Sequence, residues 1–113
     1  MQIGIDIEEI ARFEMKTLEN DAKFLNRIFS KEELEYCFAQ FNPAQHLCAR
    51  FCAKEAVIKA LGDKKISLNK IKIINNKTGK PTLYLPEPYN EKVCSVSLAH
   101  CKNYACANVL IKN

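Results

Sequence analysis

The sequence predicts an α+β fold in a single small domain. Three observations carry this reading: an alternating apolar stretch at the N-terminus, helical spacings through the first half, and alternating segments separated by turn residues through the second. With 113 residues, 48% of them hydrophobic, one domain over residues 1–113 can bury a core unaided.

Residues 2–7 alternate, with Ile3, Ile5 and Ile7 on one face and Gln2, Gly4 and Asp6 on the other. The pattern predicts a strand whose isoleucines are buried and whose Asp6 face is open, Gly4 leaving room beside the carboxylate. Ile10, Phe13, Thr17 and Leu18 fall at helical spacing over residues 10–18, and a short segment over 24–29 follows the Asn20-Asp21 break. Ser30-Lys31-Glu32-Glu33 reads as a capping box, and Leu34, Cys37, Phe38 and Phe41 form the apolar stripe of the helix it opens. Asn42-Pro43 restarts the chain, with asparagine as N-cap and proline at the first helical position. The helix that follows runs to Leu61 and ends at Gly62. Strands are expected around Ile71 and Ile73, over 81–85, 93–100 and 104–111, with turns at Asn75-Asn76-Lys77-Thr78-Gly79 and Lys102-Asn103. Val96, Leu98, Tyr104, Val109 and Ile111 exceed what one side of a small sheet needs, so association is expected through the C-terminal strands.

Composition excludes several classes. No apolar run approaches the roughly 20 residues a bilayer requires, so no membrane association is expected. An acidic N-terminus, with Asp6, Glu8 and Glu9, is unlike a secretory signal, and a cytoplasmic protein is expected. The six cysteines include no Cys-x-x-Cys pair; His46, Cys48 and Cys52 are close in sequence but lack the second pair a zinc site needs. They are read as small buried thiols. A net charge of +4 favours an anionic partner. Aromatic-rich RNA-binding strands and Arg-rich tails are missing, so nucleic acid is not the expected one.

The chemistry concentrates in the helix over 43–61. Its apolar side chains cover nearly the whole circumference, the pattern of a buried helix, yet it holds four charges in two i, i+4 pairs: Arg50 with Lys54, and Glu55 with Lys59. Glu55 is expected to be partly matched by Lys59. Arg50 and Lys54 repel unless a carboxylate or a bound anion lies between them. Glu8, Glu9 or Asp21 would supply the first; a phosphate-bearing ligand, with a hard cation at Glu55, would supply the second. Mg²⁺ takes one or two protein carboxylates and leaves its other positions to water and phosphates, and Asp6 is the natural second ligand. Mn²⁺ prefers the same oxygen donors and stays open.

Gly4-Ile5-Asp6, followed by Phe51-x-x-Lys54-Glu55-Ala56-x-x-Lys59, resembles the paired signature of the 4′-phosphopantetheinyl transferases. Gly79-Lys80-Pro81 is similar to that family's glycine–proline turn, and Val96-Ser97-Leu98-Ala99-His100 with Tyr104-Ala105 to its C-terminal hairpin. The short chain, matched in order along its length, resembles the holo-[acyl-carrier-protein] synthase branch. Ala99 stands where many relatives have serine, so no hydroxyl contact is carried over there.

The resemblance implies the α+β transferase fold, assembled as a homotrimer with active sites at subunit interfaces. It implies coenzyme A and apo acyl carrier protein as substrates. Asp6 and Glu55 become the magnesium ligands and, with Lys59 on the phosphates, the catalytic set. Arg50, Lys54, Gly79, Lys80, Pro81 and His100 become candidates for the coenzyme A site. Arg12 becomes a carrier-protein contact, and Lys16, Lys23 and Arg27 add basic charge that would steer an acidic carrier. Two rivals remain: a small basic nucleic-acid-binding domain explains the charge but not the carboxylates paired with lysines, and a non-catalytic scaffold explains the helix but not the ordered match.

Overall fold

A computed structural model describes residues 1–112. Strand β1 (Gln2–Glu9) leads through a single 3-10 turn (Ile10–Phe13) to α1 (Ala22–Ile28), α2 (Lys31–Phe38) and the long α3 (Pro43–Leu61). Strands β2 (Lys72–Asn75) and β3 (Pro81–Tyr84) form a hairpin, and β4 (Val93–His100) and β5 (Tyr104–Lys112) complete the chain. The main sheet is antiparallel in the order β1-β5-β4, with β2-β3 as a separate two-stranded sheet. The order of strand, helices and strands expected from the sequence is the order found.

Helix α3 lies across the main sheet, and the small residues of the sheet let it come close. In β5, Ala105, Ala107, Val109 and Ile111 are buried beneath it, alternating with outward-facing Tyr104, Asn108 and Leu110. Cys48 and Cys52 of α3 donate weak S–H bonds to the carbonyls of Glu8 and Ala105, at 3.6 and 3.3 Å. The helix is buried on nearly all sides, as its composition predicts, and Gly62 caps it in the left-handed conformation.

The faces of β1 are the reverse of the expected ones. Gly4 and Asp6 are buried against α3, while Ile3, Ile5 and Ile7 point outward and are 68%, 63% and 64% exposed. The reason is steric. A side chain at position 4 would collide with the carbonyl of Ala56, so the strand settles on the helix through its glycine, and its isoleucines take the opposite face. Hydrophobicity alone predicts the wrong side because the helix surface facing the strand is itself small and tightly apposed.

Other expectations are corrected in the same way. The helix over 10–18 is only a 3-10 turn: Ile10 and Phe13, three apart, are buried within it, and Met15 at φ 67 then breaks the chain direction. Phe41 does not continue the stripe of α2; the helix ends at Phe38 and Phe41 is fully exposed. Asn42 precedes α3 but its side chain caps nothing, whereas the Ser30–Glu33 capping box forms in full. Val96, Val109 and Ile111 are core residues, so the surplus apolar surface is not theirs. It lies on the outer face of the sheet, where the three isoleucines are joined by Val93, Tyr104 and Leu110.

Gly4→Ala tests the apposition. With Ala56 carbonyl in the way and Ala60 Cβ only 3.2 Å from the added methyl, β1 must lift from α3. The expected loss is about 3 kcal/mol, roughly 10 °C in melting temperature by circular dichroism. A melting point within a degree or two of wild type would show that the strand can shift freely.

Candidate active site

Strand β1 and helix α3 bring Asp6, Glu55 and Lys59 together. Lys59 Nζ donates to Asp6 Oδ1 and to the Ile5 carbonyl, both at 3.0 Å. Asp6 is nine-tenths buried, and its Oδ2 has no hydrogen-bond partner. Glu55, half-buried one turn before Lys59, makes no hydrogen bond or ion pair among the described residues. The expected Glu55–Lys59 pairing is therefore replaced by an Asp6–Lys59 ion pair, although Glu55 still acts on Lys59 through space. The hydrogen bond that Lys59 donates to Asp6, and then the Asp6 charge, hold the Lys59 ammonium above the ordinary lysine range.

Glu8 joins this group and was not singled out as a site residue. It follows Asp6 at the strand period and lies on the same face, so the Gly4-x-Asp6-x-Glu8 spacing carried the signal. Burial, and then the Asp6 carboxyl group facing it, raise Glu8 above the usual carboxylate range. Asp6 Oδ2 has no donor unless Glu8 carries a proton, in which case the two carboxyl groups can share a hydrogen bond. Glu8 Oε1 accepts from Arg12 Nη1 at 3.3 Å, and the Arg12 guanidinium sits 4.7 Å over the ring of Phe51. Three carboxylates thus face two cationic side chains. An orphaned buried oxygen, an unpaired carboxylate on the next element and a net negative surplus suit a hard divalent cation. Among the described residues no group of three or more His, Cys, Asp or Glu is arranged to hold a metal ion by itself.

The other predicted residues divide. Arg50 is buried; its Nη2 donates to Asn75 Oδ1 at 3.0 Å, its guanidinium lies 4.5 Å over Tyr36, and its Nε has no partner. His46, which the sequence offers only as part of an incomplete zinc grouping with Cys48 and Cys52, packs edge-on to Tyr36 at 5.8 Å. Burial first, and then Arg50 and His100, push its pKa down, which favours the neutral imidazole beside the Arg50 guanidinium. His100 ends β4 and is exposed. Gly79 and Lys80 are exposed in the β2–β3 turn, with Pro81 starting β3. The Arg50–Asn75 bond ties that hairpin to α3. Arg50 and Lys59 are nine residues apart on one helix, or about 13 Å. Of the docking candidates, Lys23 and Arg27 are exposed on α1, Arg12 is held by Glu8, and Lys16 lies 3.9 Å from Asp21.

Lys54 is not available to a ligand. It is fully buried, with Nζ donating to Glu33 Oε1 at 2.7 Å, to the Leu68 carbonyl at 3.0 Å and to the Ile71 carbonyl. The carboxylate that answers it is Glu33 of the capping box, not Glu8, Glu9 or Asp21. Glu33 also accepts from the backbone N–H of Ser30 and of Ile73. One buried pair therefore fastens α2, α3 and the start of β2, fixing the helix turn from which Glu55 projects.

The fold and site define a small α+β domain that presents a carboxylate and a lysine on successive turns of a buried helix, opposite a strand-borne aspartate. The model of one such family, the 4′-phosphopantetheinyl transferase superfamily, matches residues 2–109, and the chain belongs to it. Its relatives there are holo-[acyl-carrier-protein] synthases. That of Thermodesulfovibrio yellowstonii is 42% identical over 110 residues, 96% of each chain. The solved structure of the Helicobacter pylori synthase in complex with coenzyme A has a TM-score of 0.83 at 32% identity, covering 97% of this chain and 99% of that one. The Bacillus anthracis synthase, solved in complex with coenzyme A (3′,5′-ADP), has a TM-score of 0.80 at 32% identity, covering 97% of this chain and 94% of that one.

Lys54→Met separates fold from site. It leaves the Glu33 carboxylate buried with its backbone donors alone, at an expected cost of about 3–5 kcal/mol in urea unfolding. A loss below about 1 kcal/mol, the scale of an exposed pair, would mean that the Glu33–Lys54 pair does not hold the helices together.

Proposed function

We propose that this chain transfers the 4′-phosphopantetheine group of coenzyme A to a serine of apo acyl carrier protein, giving holo carrier and adenosine 3′,5′-bisphosphate. The observation that carries the site assignment is the buried, partnerless Asp6 Oδ2 beside the unpaired Glu55. Asp6 and Glu55 would hold Mg²⁺ or Mn²⁺. When bound, such an ion offsets the charge that builds on the pyrophosphate oxygens. Lys59 stabilises the leaving phosphate from its place at the mouth of the site. Glu55, or a water held by Asp6 or Glu55, accepts the serine proton. Arg50, with His46 and His100 nearby and the 79–81 turn across the hairpin, offers cationic and turn contacts to the rest of coenzyme A. Lys54 drops out of that set. Arg12, Lys16, Lys23 and Arg27 face the carrier, beside a fully exposed Met15.

The assembly proposed is a homotrimer in the cytoplasm, with each active site shared between neighbours. Support comes from the outward row of Ile3, Ile5 and Ile7, continued by Leu110 and Val93. An apolar sheet face of this kind is rarely left to water, and closed cyclic symmetry covers it without open ends. The number three rests on the resemblance.

Mass spectrometry of apo carrier protein incubated with coenzyme A and Mg²⁺ should show the gain of one phosphopantetheine. Asp6→Ala and Glu55→Ala should each abolish that gain while keeping wild-type circular dichroism. Near-normal turnover of either variant at saturating Mg²⁺ removes the two-carboxylate site. For the assembly, Ile7→Glu should shift the sedimentation mass from trimer to monomer; a monomeric mass in fully active wild type would end the shared-site reading.

A further inference from the structure

The Lys59 ammonium lies on Asp6, where the cation belongs. It is the one cationic side chain that hydrogen-bonds the Asp6 carboxylate among the described residues. Asp6 is nine-tenths buried and has lost most of its water, so a positive partner there matters. Lys59 itself is lightly held: its side chain is 56% exposed, and its second bond is to a backbone carbonyl. Next to it, in the isolated chain, opens a hollow of about 370 Å³ lined by Ile3, Gly4, Ile5, Lys59 and Asn108, on the edge that the proposed assembly would share with a neighbour. A carboxylate on its own helix, Glu55 one turn away, does not capture it.

From this geometry we infer that Lys59 is a built-in substitute for the metal, and that its exchange between Asp6 and a ligand phosphate couples cation binding to substrate binding. The inference rests on Asp6 and Glu55 being the cation ligands. An ammonium on Asp6 Oδ1 and a divalent ion on Oδ2 repel each other across the carboxylate and weaken each other's hold on it. A cation that takes Asp6 therefore releases Lys59 toward the phosphates. A pyrophosphate-bearing substrate that takes Lys59 uncovers Asp6 for the cation. Each ligand removes an obstacle to the other, and the coupling is equal in both directions. In the free protein Lys59 keeps Asp6 from being an unpaired buried charge, so the empty site stays folded.

The test uses the full chain with Mn²⁺ as the probe, its free concentration read by electron paramagnetic resonance, with and without coenzyme A. Lys59→Met should bind Mn²⁺ alone at least about fivefold more tightly than wild type, and coenzyme A should strengthen Mn²⁺ binding by a smaller factor in the variant than in wild type. Lys64→Met, which removes the same charge beyond the end of α3, should leave Mn²⁺ affinity unchanged. Simple loss of repulsion is separated by NMR of ¹⁵N-labelled lysines. The Nζ signal that disappears in Lys59→Met should move in wild type on Mg²⁺ addition, with the midpoint of Mg²⁺ binding. Unchanged or weaker Mn²⁺ binding by Lys59→Met, or a Lys59 signal that ignores Mg²⁺, overturns the exchange. Asp6→Asn and Glu55→Gln distinguish the two levels. If they lose Mn²⁺ while Lys59→Met behaves as wild type, only the exchange fails; if they keep it, the cation site fails and the exchange with it.

Discussion

Strand β1 lies against helix α3 only because position 4 carries no side chain, and this contact decides most of what the molecule presents to its surroundings. With Gly4 pressed to the Ala56 carbonyl, every second residue of the strand faces the helix. Asp6 and Glu8 are carried in beside Glu55 and Lys59. The alternate residues, Ile3, Ile5 and Ile7, are carried out. One steric fact thus supplies both a buried carboxylate site and an apolar outer sheet face. The two cannot be varied independently: a shift of the strand by one residue would bury the isoleucines and expose the aspartate.

The four charges of α3 do different work despite their regular spacing. Lys54 is consumed by the fold, paired with Glu33 where water is absent. A buried pair is a weak source of net stability, since desolvation offsets its attraction, but it discriminates strongly against any arrangement that leaves one partner alone. Here both carboxylate oxygens and the ammonium are saturated by backbone groups of three elements, so the pair specifies how α2 and the β2 strand meet the helix. Arg50 is intermediate, held by Asn75 and the Tyr36 ring yet keeping a buried Nε without a partner. Glu55 and Lys59, one turn further, keep polar capacity free or lightly held. Along one helix the charges pass from structural to chemically available.

Much of this was legible in the sequence, and what was not has an identifiable cause. The capping box at Ser30, the Pro43 start and Gly62 end of α3, and the strands after Ile71 follow from local signals that tertiary contacts do not override. That Asp6, Glu55 and Lys59 belong together was legible through the family resemblance the two motifs carry, whereas helical spacing alone pairs Lys59 with Glu55 and not with Asp6. The inside and outside of β1 were not, because alternation shows which residues share a face and not which face is covered. The partner of Lys54 was hidden for a similar reason: Glu33 had already been assigned a role as a capping residue, and its second oxygen reaches Ile73 from the far side of the core. The roles of His46 and Glu8 are not legible in the sequence, since each gains its meaning only from the side chains it meets in the fold, Arg50 and Tyr36 for the one and Asp6 and Arg12 for the other.

Local rules are broken in this structure mainly at one place, and that place is the site. An unsatisfied buried oxygen costs on the order of 1–3 kcal/mol, and Asp6 keeps one while a second carboxylate, Glu8, stands close enough to be raised by it. Nothing in packing requires this. An asparagine or serine at position 6 would fit the same space with less electrostatic strain. The cost is borne within a domain whose remaining buried charges are answered almost completely, above all by Glu33 and Lys54. Buried Arg50 Nε and Asn69 Oδ1 also lack partners, but Asp6 Oδ2 is the unpartnered atom on a carboxylate, where a cation, if bound, would recover free energy on binding.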